Sequence, residues 1–527
     1  MRKTLFLSEL LRQTAYNKPH DIALCHREKK VSYIELLQLV KYISYNILTS
    51  NKAGLNIVVC LPKSIETIAI LLATLEAKHV AVPINYNDPL DRISIIIQST
   101  QASIVFCTAS LLKYMVIHKS KYKHIRVAIC LEKYWVSDLP PIAPFKIYSM
   151  SKFIDNKIEI LSKKKPLTNS SKCSSAYVLH TSGSTGLPKG ILLSHNNILN
   201  FVSWINKELK LSPYDRILSL SPLTFDISLF DIFSSIAEGA SIYLIDDKEL
   251  LVASKILQTI HRYSITTIYT TPTLYSLLFE YGYYIKYDLS SIKNILCAGE
   301  VLSGNTADLL ISIFPNASIY NLYGPTETNV CSFYKLNNQK KYSSKKVPIG
   351  NVCAGYKAKL SMPKDFTDSK KNKKIRLLHV GGPGVMQGYF INNKVIKNEN
   401  YYYNTGDLVE VKNKLLYFYG RIDSKKKWRG NLIDLVGINT IIEKLPQIKK
   451  SVLLFLKKED KLICFIKKTK IVKEKTIMDH CKKFLPSYSI PSKVIEINEF
   501  PLLSTGKLDM LALEKYYIDE SNSNIPN

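Results

Sequence analysis

Along the chain, short apolar runs of strand character alternate with longer segments of helical character, a pattern that predicts an α/β architecture. The run Ala176-Tyr177-Val178-Leu179 is one such strand, and it ends just before a loop rich in hydroxyls and glycines. Polar stretches punctuate the pattern. Residues 160–175, with Lys163-Lys164-Lys165-Pro166 and Asn169-Ser170-Ser171, read as a connection, and residues 363–374 as an exposed turn between two strand-like stretches. Past Gly420 the pattern changes to a smaller, lysine-rich α+β unit in which residues 451–456 and 462–466 read as consecutive strands. The tail after Tyr517 is polar and expected to fray, and no internal repeat is visible.

A chain of 527 residues is too long for one ordinary core and implies two or more domains. Its 46% hydrophobic and 22% charged residues are those of a soluble globular protein. The best apolar run, residues 65–75, is too short to span a bilayer and is bracketed by Glu66 and Glu76. Met1-Arg2-Lys3 and Leu5-Phe6-Leu7 open like a signal peptide, but Ser8-Glu9 breaks the stretch, so a cytoplasmic protein is expected. The ten cysteines are scattered, with no Cys-x-x-Cys pair or metal-ligand spacing, and read as reduced core residues. The formal charge of +29 comes almost entirely from lysines spread through loops, without arginine–aromatic interleaving. That distribution argues against specific nucleic-acid binding and at most helps attract an acidic partner or nucleotide.

The loop itself is the richest chemical signal. Thr181, Ser182, Gly183, Ser184, Thr185, Gly186, Leu187, Pro188, Lys189 and Gly190 combine close backbone approach, hydroxyl and amide donors, and one ammonium, the ingredients of a phosphate cradle. It is not a Walker A loop, because no Gly-Lys-Ser/Thr falls at the required spacing. Further segments follow in order: Val31-Ser32-Tyr33-Ile34-Glu35-Leu36, residues 75–85 ending Val82-Pro83-Ile84-Asn85, Phe225-Asp226-Ile227-Ser228, and Asn321-Leu322-Tyr323-Gly324-Pro325-Thr326-Glu327. Tyr403-Asn404-Thr405-Gly406-Asp407-Leu408, Gly420-Arg421-Ile422-Asp423 and Ser504-Thr505-Gly506-Lys507-Leu508-Asp509 complete the series. With the loop, these segments resemble the core motifs of the adenylate-forming superfamily, which comprises acyl-CoA synthetases, luciferases and the adenylation domains of nonribosomal peptide synthesis.

The resemblance implies an N-terminal AMP-binding core domain at 1–422 and a mobile α+β lid domain at 423–527 that reorients about a hinge near Asp423. It also implies ATP and Mg²⁺ as cofactors. Lys507 matches the lysine that contacts the substrate carboxylate and α-phosphate, Glu327 the Mg²⁺-coordinating glutamate, and Thr185 a residue assisting at the phosphates. Thr181, Ser182, Gly183, Ser184, Gly186, Lys189 and Thr326 fall among the nucleotide-binding positions. Asp407 and Arg421 match the ribose-binding pair; Tyr323 would pack on adenine, Asn321 bond its amino group, and Gly299 allow close approach.

Asp226 matches the aspartate that pairs with a substrate α-amino group, which favours an amino acid over a fatty or aryl acid. The family's pocket positions fall on Asp226, Ile227, Phe230, Tyr269, Leu296, Ala298, Leu322, Val330, Cys331 and Lys507. Their apolar and aromatic lining suits a small apolar side chain. The set is similar to that of stand-alone prolyl-activating enzymes that load a separate phosphopantetheinylated carrier protein, so L-proline is the first expectation, with D-alanine or another small amino acid open. An acyl-CoA synthetase and a non-catalytic nucleotide-binding relic are the rival readings. Departures are Lys78 where the second motif has glycine, Arg376-Leu377 where the sixth has Gly-Glu, and a loose eighth motif over residues 431–439, which makes the thioester step the less secure one.

Overall fold

In the computed structural model, strands whose residues are buried on both faces pair in parallel, as apolar runs such as Val80–Pro83, Ile104–Cys107 and Asn294–Cys297 require. The structure describes residues 6–47, 54–132, 143–155, 174–182, 188–279, 282–343, 345–363, 374–397, 400–422, 425–428, 431–456, 459–501 and 508–523. They group into two units: 1–86, 97–181 and 189–423 in the first, and 87–96, 182–188 and 424–527 in the second.

The first unit contains two nine-stranded sheets and a four-stranded one. One large sheet has a parallel centre of Val80–Pro83, Asn56–Cys60, Ile104–Cys107, Val127–Cys130 and Lys146–Ser149, with Ser175–Ser182 and Pro188–Ser194 alongside. The other runs in parallel from Ser241–Leu244 through Arg216–Ser219, Thr267–Thr270 and Asn294–Cys297 to Ser318–Tyr323, then turns back in the antiparallel strand Ser332–Lys335. The four-stranded sheet is antiparallel, in the order Lys357–Ser361, Ile375–Gly381, Tyr403–Lys412, Leu415–Arg421.

The helix Ile65–Glu76 is the apolar run of the sequence, and it is apolar all round because it is buried all round. Ser64 caps it by accepting the Thr67 N–H at 3.1 Å. At its other end the Lys78 N–H bonds Leu75 O and the His79 N–H bonds Thr74 O, the paired bonds of a Schellman motif. That motif needs a left-handed residue at 78, and Lys78 adopts φ +58°, the conformation that explains why the family pattern has glycine there.

The second unit is a three-stranded sheet of Ile448–Leu456, Lys461–Lys468 and Lys493–Glu496 with the helices Leu435–Ile442, Glu474–Phe484 and Met510–Ser523. Leu462, Cys464 and Ile466 enter one core while Ile463 and Phe465 enter another, so the strand is apolar without a break. The helix Met510–Ser523, with Leu513 and Tyr517 buried, runs on through residues 518–523 of the tail that was expected to fray; residues 524–527 lie outside the described residues. Among the described residues no helix is long and apolar enough to cross a membrane. The nine described cysteines are all free and buried, as expected of core thiols.

Candidate active site

The parallel strands of the second large sheet end together, the position where α/β folds gather ligands. Their register sets Tyr269 beside Leu296 and Leu296 beside Tyr320, so Leu322, two residues on, shares that face, while Asn321 and Tyr323 alternate to the other. Ile227, Phe230, Tyr269, Leu296, Ala298, Leu322, Val330 and Cys331 all belong to one buried apolar cluster. The Phe230 and Tyr269 rings meet edge-to-face at 5.4 Å.

Asp226 is half-buried at the start of the short helix Ile227–Leu229, which continues into a π-helical turn, Phe230–Ser234. Burial first, and then the charges of Asp226 and Asp231, hold the Tyr269 phenol well above its ordinary range. Phe230, Tyr269 and Leu296 are thus neighbours by ring contact and strand pairing, with Asp226 at the head of the turn that carries Phe230.

A second group joins the four-stranded sheet of the first unit to the strand Ser318–Tyr323 of a nine-stranded one. Strand pairing sets Asp407 opposite Arg421, and Arg421 Nη1 donates to Asp407 Oδ1 at 2.6 Å while Nη2 donates to Thr405 O at 3.0 Å. The Tyr323 hydroxyl donates to the other carboxylate oxygen. Burial and then the Asp407 charge push the Tyr323 phenol far upward, which keeps it a donor. Asp407 and Arg421 are almost wholly enclosed. Asn321 donates through Nδ2 to Pro348 O at 2.7 Å, so its Oδ1 is the atom suited to accept an amino N–H. Gly299 follows the end of its strand at φ +85°, left-handed backbone that glycine adopts at no cost.

Glu327 forms the third group. It is presented by a tight turn that begins at Gly324, where a Cβ would stand 1.7 Å from Asn329 O. The Tyr389 hydroxyl donates to Glu327 Oε1 at 3.1 Å and lies 3.0 Å from the Tyr403 hydroxyl. Lys189 Nζ sits 5.7 Å above the Tyr389 ring. Pro188-Lys189-Gly190 begin a strand rather than ending a loop, and Thr181 and Ser182 end the preceding one. Thr326 is half-buried on the same turn as Glu327. Gly183, Ser184, Thr185, Gly186 and Lys507 lie outside the described residues, as does Asp423, near which a hinge is expected from the resemblance.

Among the described residues no group of three His, Cys, Asp or Glu side chains could hold a metal alone. One buried carboxylate fits a cation that arrives on phosphates, since Mg²⁺ is commonly held by one or two carboxylates together with substrate oxygens.

The sequence reading did not single out Tyr389 and Tyr403 as partners of Glu327, although both flank its motifs; nor did it find the buried charged residues Lys63 and Asp231. Burial and long-range contact, not motif, reveal them.

The aromatic pair beside Asp226, the buried Asp407–Arg421–Tyr323 group and the carboxylate on the Gly-Pro-Thr-Glu turn all lie on segments that resemble the motifs of adenylate-forming enzymes. The pattern of the AMP-binding enzyme family matches residues 11–390, and the chain belongs to that family. It is 28% identical over 535 residues to the D-alanine–D-alanyl carrier protein ligase of Lactococcus lactis, covering 96% of this chain and 98% of that one. It is 27% identical over 515 residues to the L-proline–[L-prolyl-carrier protein] ligase of Pseudomonas fluorescens, covering 97% and 99%. Its fold superposes on the Vibrio cholerae adenylation domain AlmE, solved with glycyl-adenosine-5'-phosphate, with a TM-score of 0.79, 20% identity and coverage of 98% and 99%.

Proposed function

We propose that this enzyme activates a small apolar amino acid with ATP and passes it to the phosphopantetheine thiol of a separate carrier protein, with L-proline as the substrate. The observation that carries the reading is the half-buried carboxylate of Asp226 at the head of the turn whose Phe230 packs on Tyr269, in otherwise largely apolar and aromatic surroundings. A charged substrate side chain would be desolvated there without a partner, whereas an α-ammonium finds Asp226 and a pyrrolidine ring finds Phe230 and Tyr269. Full-length likeness to carrier-protein ligases for L-proline and D-alanine supports the class.

In the first step a substrate carboxylate oxygen bonds to the α-phosphorus of ATP and the bond to the β-phosphate oxygen breaks, releasing pyrophosphate. In the second the carrier thiol displaces AMP from the acyl carbon. Asp407 and Arg421 would hold the ribose hydroxyls, Tyr323 and Asn321 the adenine, and Lys189 with the Thr181–Gly186 loop the phosphates. Glu327 would hold Mg²⁺, which offsets the repulsion between the two anions. Lys507, supplied from residues 423–527 as the mobile lid, would contact the substrate carboxylate and the α-phosphate.

The test is amino-acid-dependent ATP–pyrophosphate exchange across the twenty standard amino acids and D-alanine. A dominant L-proline signal supports the full reading; a D-alanine signal keeps the class and replaces the substrate. Silence with every amino acid from protein that binds ATP refutes amino-acid activation.

A further inference from the structure

Lys189 and Glu327 belong to distant parts of the chain, yet one short segment is tied to both. The Met386 N–H donates to Glu327 O at 2.8 Å, and the next amide, that of Gln387, donates to Leu192 O at 2.9 Å. The segment then enters the strand Gly388–Ile391, which pairs antiparallel with Pro188–Ser194 and sets Tyr389 opposite Ile191. Lys189, two residues before Ile191, shares that face of the sheet. Gly190 permits the strands to come this close, because a Cβ there would stand 2.9 Å from Phe390 O and 2.7 Å from Val178 Cγ1.

From this position Tyr389 makes two contacts of different kinds. Its hydroxyl donates to Glu327 Oε1 at 3.1 Å, since an ionised carboxylate only accepts. Its ring lies 5.7 Å from Lys189 Nζ, within the range at which an aromatic face attracts a cation. The Tyr403 hydroxyl, 3.0 Å from that of Tyr389, is left to donate to it, because the Tyr389 proton is engaged on Glu327. Glu327 is 6% exposed, so little water reaches its carboxylate and the hydroxyl contact has a strong hold on where it points.

We infer that Tyr389 is a positioning residue that holds the Glu327 carboxylate and the Lys189 ammonium in one fixed arrangement for the cation and phosphates of Mg·ATP. Both halves of this role rest on the assignments given to Glu327 and Lys189 above. The hydroxyl serves the cation end and the ring serves the phosphate end. The amino-acid end, around Asp226 and Phe230, should respond to neither.

The experiment measures equilibrium ATP binding by calorimetry, without amino acid, across a Mg²⁺ titration and in EDTA. Wild type is compared with Tyr389→Phe, Tyr389→Leu and Glu327→Gln, with thermal melting alongside. Tyr389→Phe keeps the ring and should raise the half-saturating Mg²⁺ concentration about tenfold, as loss of a hydrogen bond to a charged group predicts, with ATP affinity in EDTA within twofold of wild type. Tyr389→Leu should share that defect and also weaken ATP binding in EDTA about threefold, the effect of losing a cation–π contact. In exchange assays both variants should keep an amino-acid KM within twofold of wild type. A Tyr389→Phe protein with the wild-type Mg²⁺ requirement overturns the inference, whatever its Tm. So does one in which Mg²⁺ requirement, ATP affinity in EDTA and amino-acid KM all worsen together, the mark of a general loosening. Should Tyr389→Leu not fold, Tyr389→Phe decides alone. A Glu327→Gln protein with an unchanged Mg²⁺ requirement removes the assignment on which the role rests, a result distinct from a Glu327→Gln defect beside an unaffected Tyr389→Phe, which removes the role of Tyr389 alone.

Discussion

Replacing Asp407 with asparagine keeps the shape of the side chain and removes its charge, in a setting where the geometry fixes the consequences. The carboxylate accepts Arg421 Nη1 through one oxygen and the Tyr323 hydroxyl through the other, and it is 0% exposed. Breaking a buried ion pair by neutralising one partner costs about 3–5 kcal/mol, because the remaining charge stays out of water. Some of that is spared, since Arg421 keeps its bond to Thr405 O. For the nucleotide, a hydrogen bond to a charged acceptor contributes about 1.5–3 kcal/mol, so loss of one to the ribose should raise the ATP KM roughly ten- to a hundredfold. Denaturant unfolding reads the first effect, and exchange kinetics at saturating amino acid read the second. An Asp407→Asn enzyme that is stable but has an ATP KM within twofold of wild type would refute the ribose assignment and leave Asp407 as a structural tie.

Asp226→Ala should raise the amino-acid KM at least tenfold in exchange assays and leave the ATP KM nearly unchanged; equal changes would count against a dedicated amine partner. Lys507→Ala should abolish exchange with no change in melting temperature, and near-normal exchange would remove its catalytic role. Lys78→Gly should stabilise the protein by roughly 0.5–1 kcal/mol in chemical unfolding, because a left-handed non-glycine residue costs about 1–2 kcal/mol and the entropy of glycine returns part of that; a neutral or negative effect would mean that the lysine side chain repays its strain. Burial holds His79 and His195 down to about 4, and each accepts a backbone N–H through Nδ1, from Leu55 and Leu7. Both therefore fold neutral. Protons taken up by the unfolded chain from about pH 6.5 downward should erode stability until about pH 4, by on the order of 3 kcal/mol per histidine. A flat unfolding free energy across that window would contradict their burial.

Much of the architecture could be read from residue patterns because its signals are local. The strand at residues 176–179 and the paired strands at 451–456 and 462–466 are all present, slightly longer than the apolar runs alone, and the apolar run at 65–75, given no secondary structure from the sequence, is a buried helix. The tail after Tyr517 misled, since residues 518–523 are largely polar and continue a helix whose buried anchors, Leu513 and Tyr517, precede them. At the site, Asp226, Glu327, Asp407 and Arg421 were singled out only through the ordered motifs that resemble the family, since each alone reads equally as an ordinary turn or surface residue.

The partners of those residues were not legible, for a reason rooted in topology. Tyr389 reaches Glu327 across 62 positions and Tyr323 reaches Asp407 across 84, through strands that parallel and antiparallel pairing bring together only in the folded state. Lys63 meets Ser219 across 156. In each case the motif residue bears the charge and a residue with no local signature fixes its direction. The departures at the motifs follow the same logic. Lys78 is tolerated where glycine is expected because the backbone bonds of the helix end hold the left-handed turn whatever side chain it carries. Charge-bearing positions have no comparable substitute, because a buried carboxylate that loses its cation has no water to turn to. Asp407 is the clearest case, enclosed and held by Arg421 on one oxygen and Tyr323 on the other.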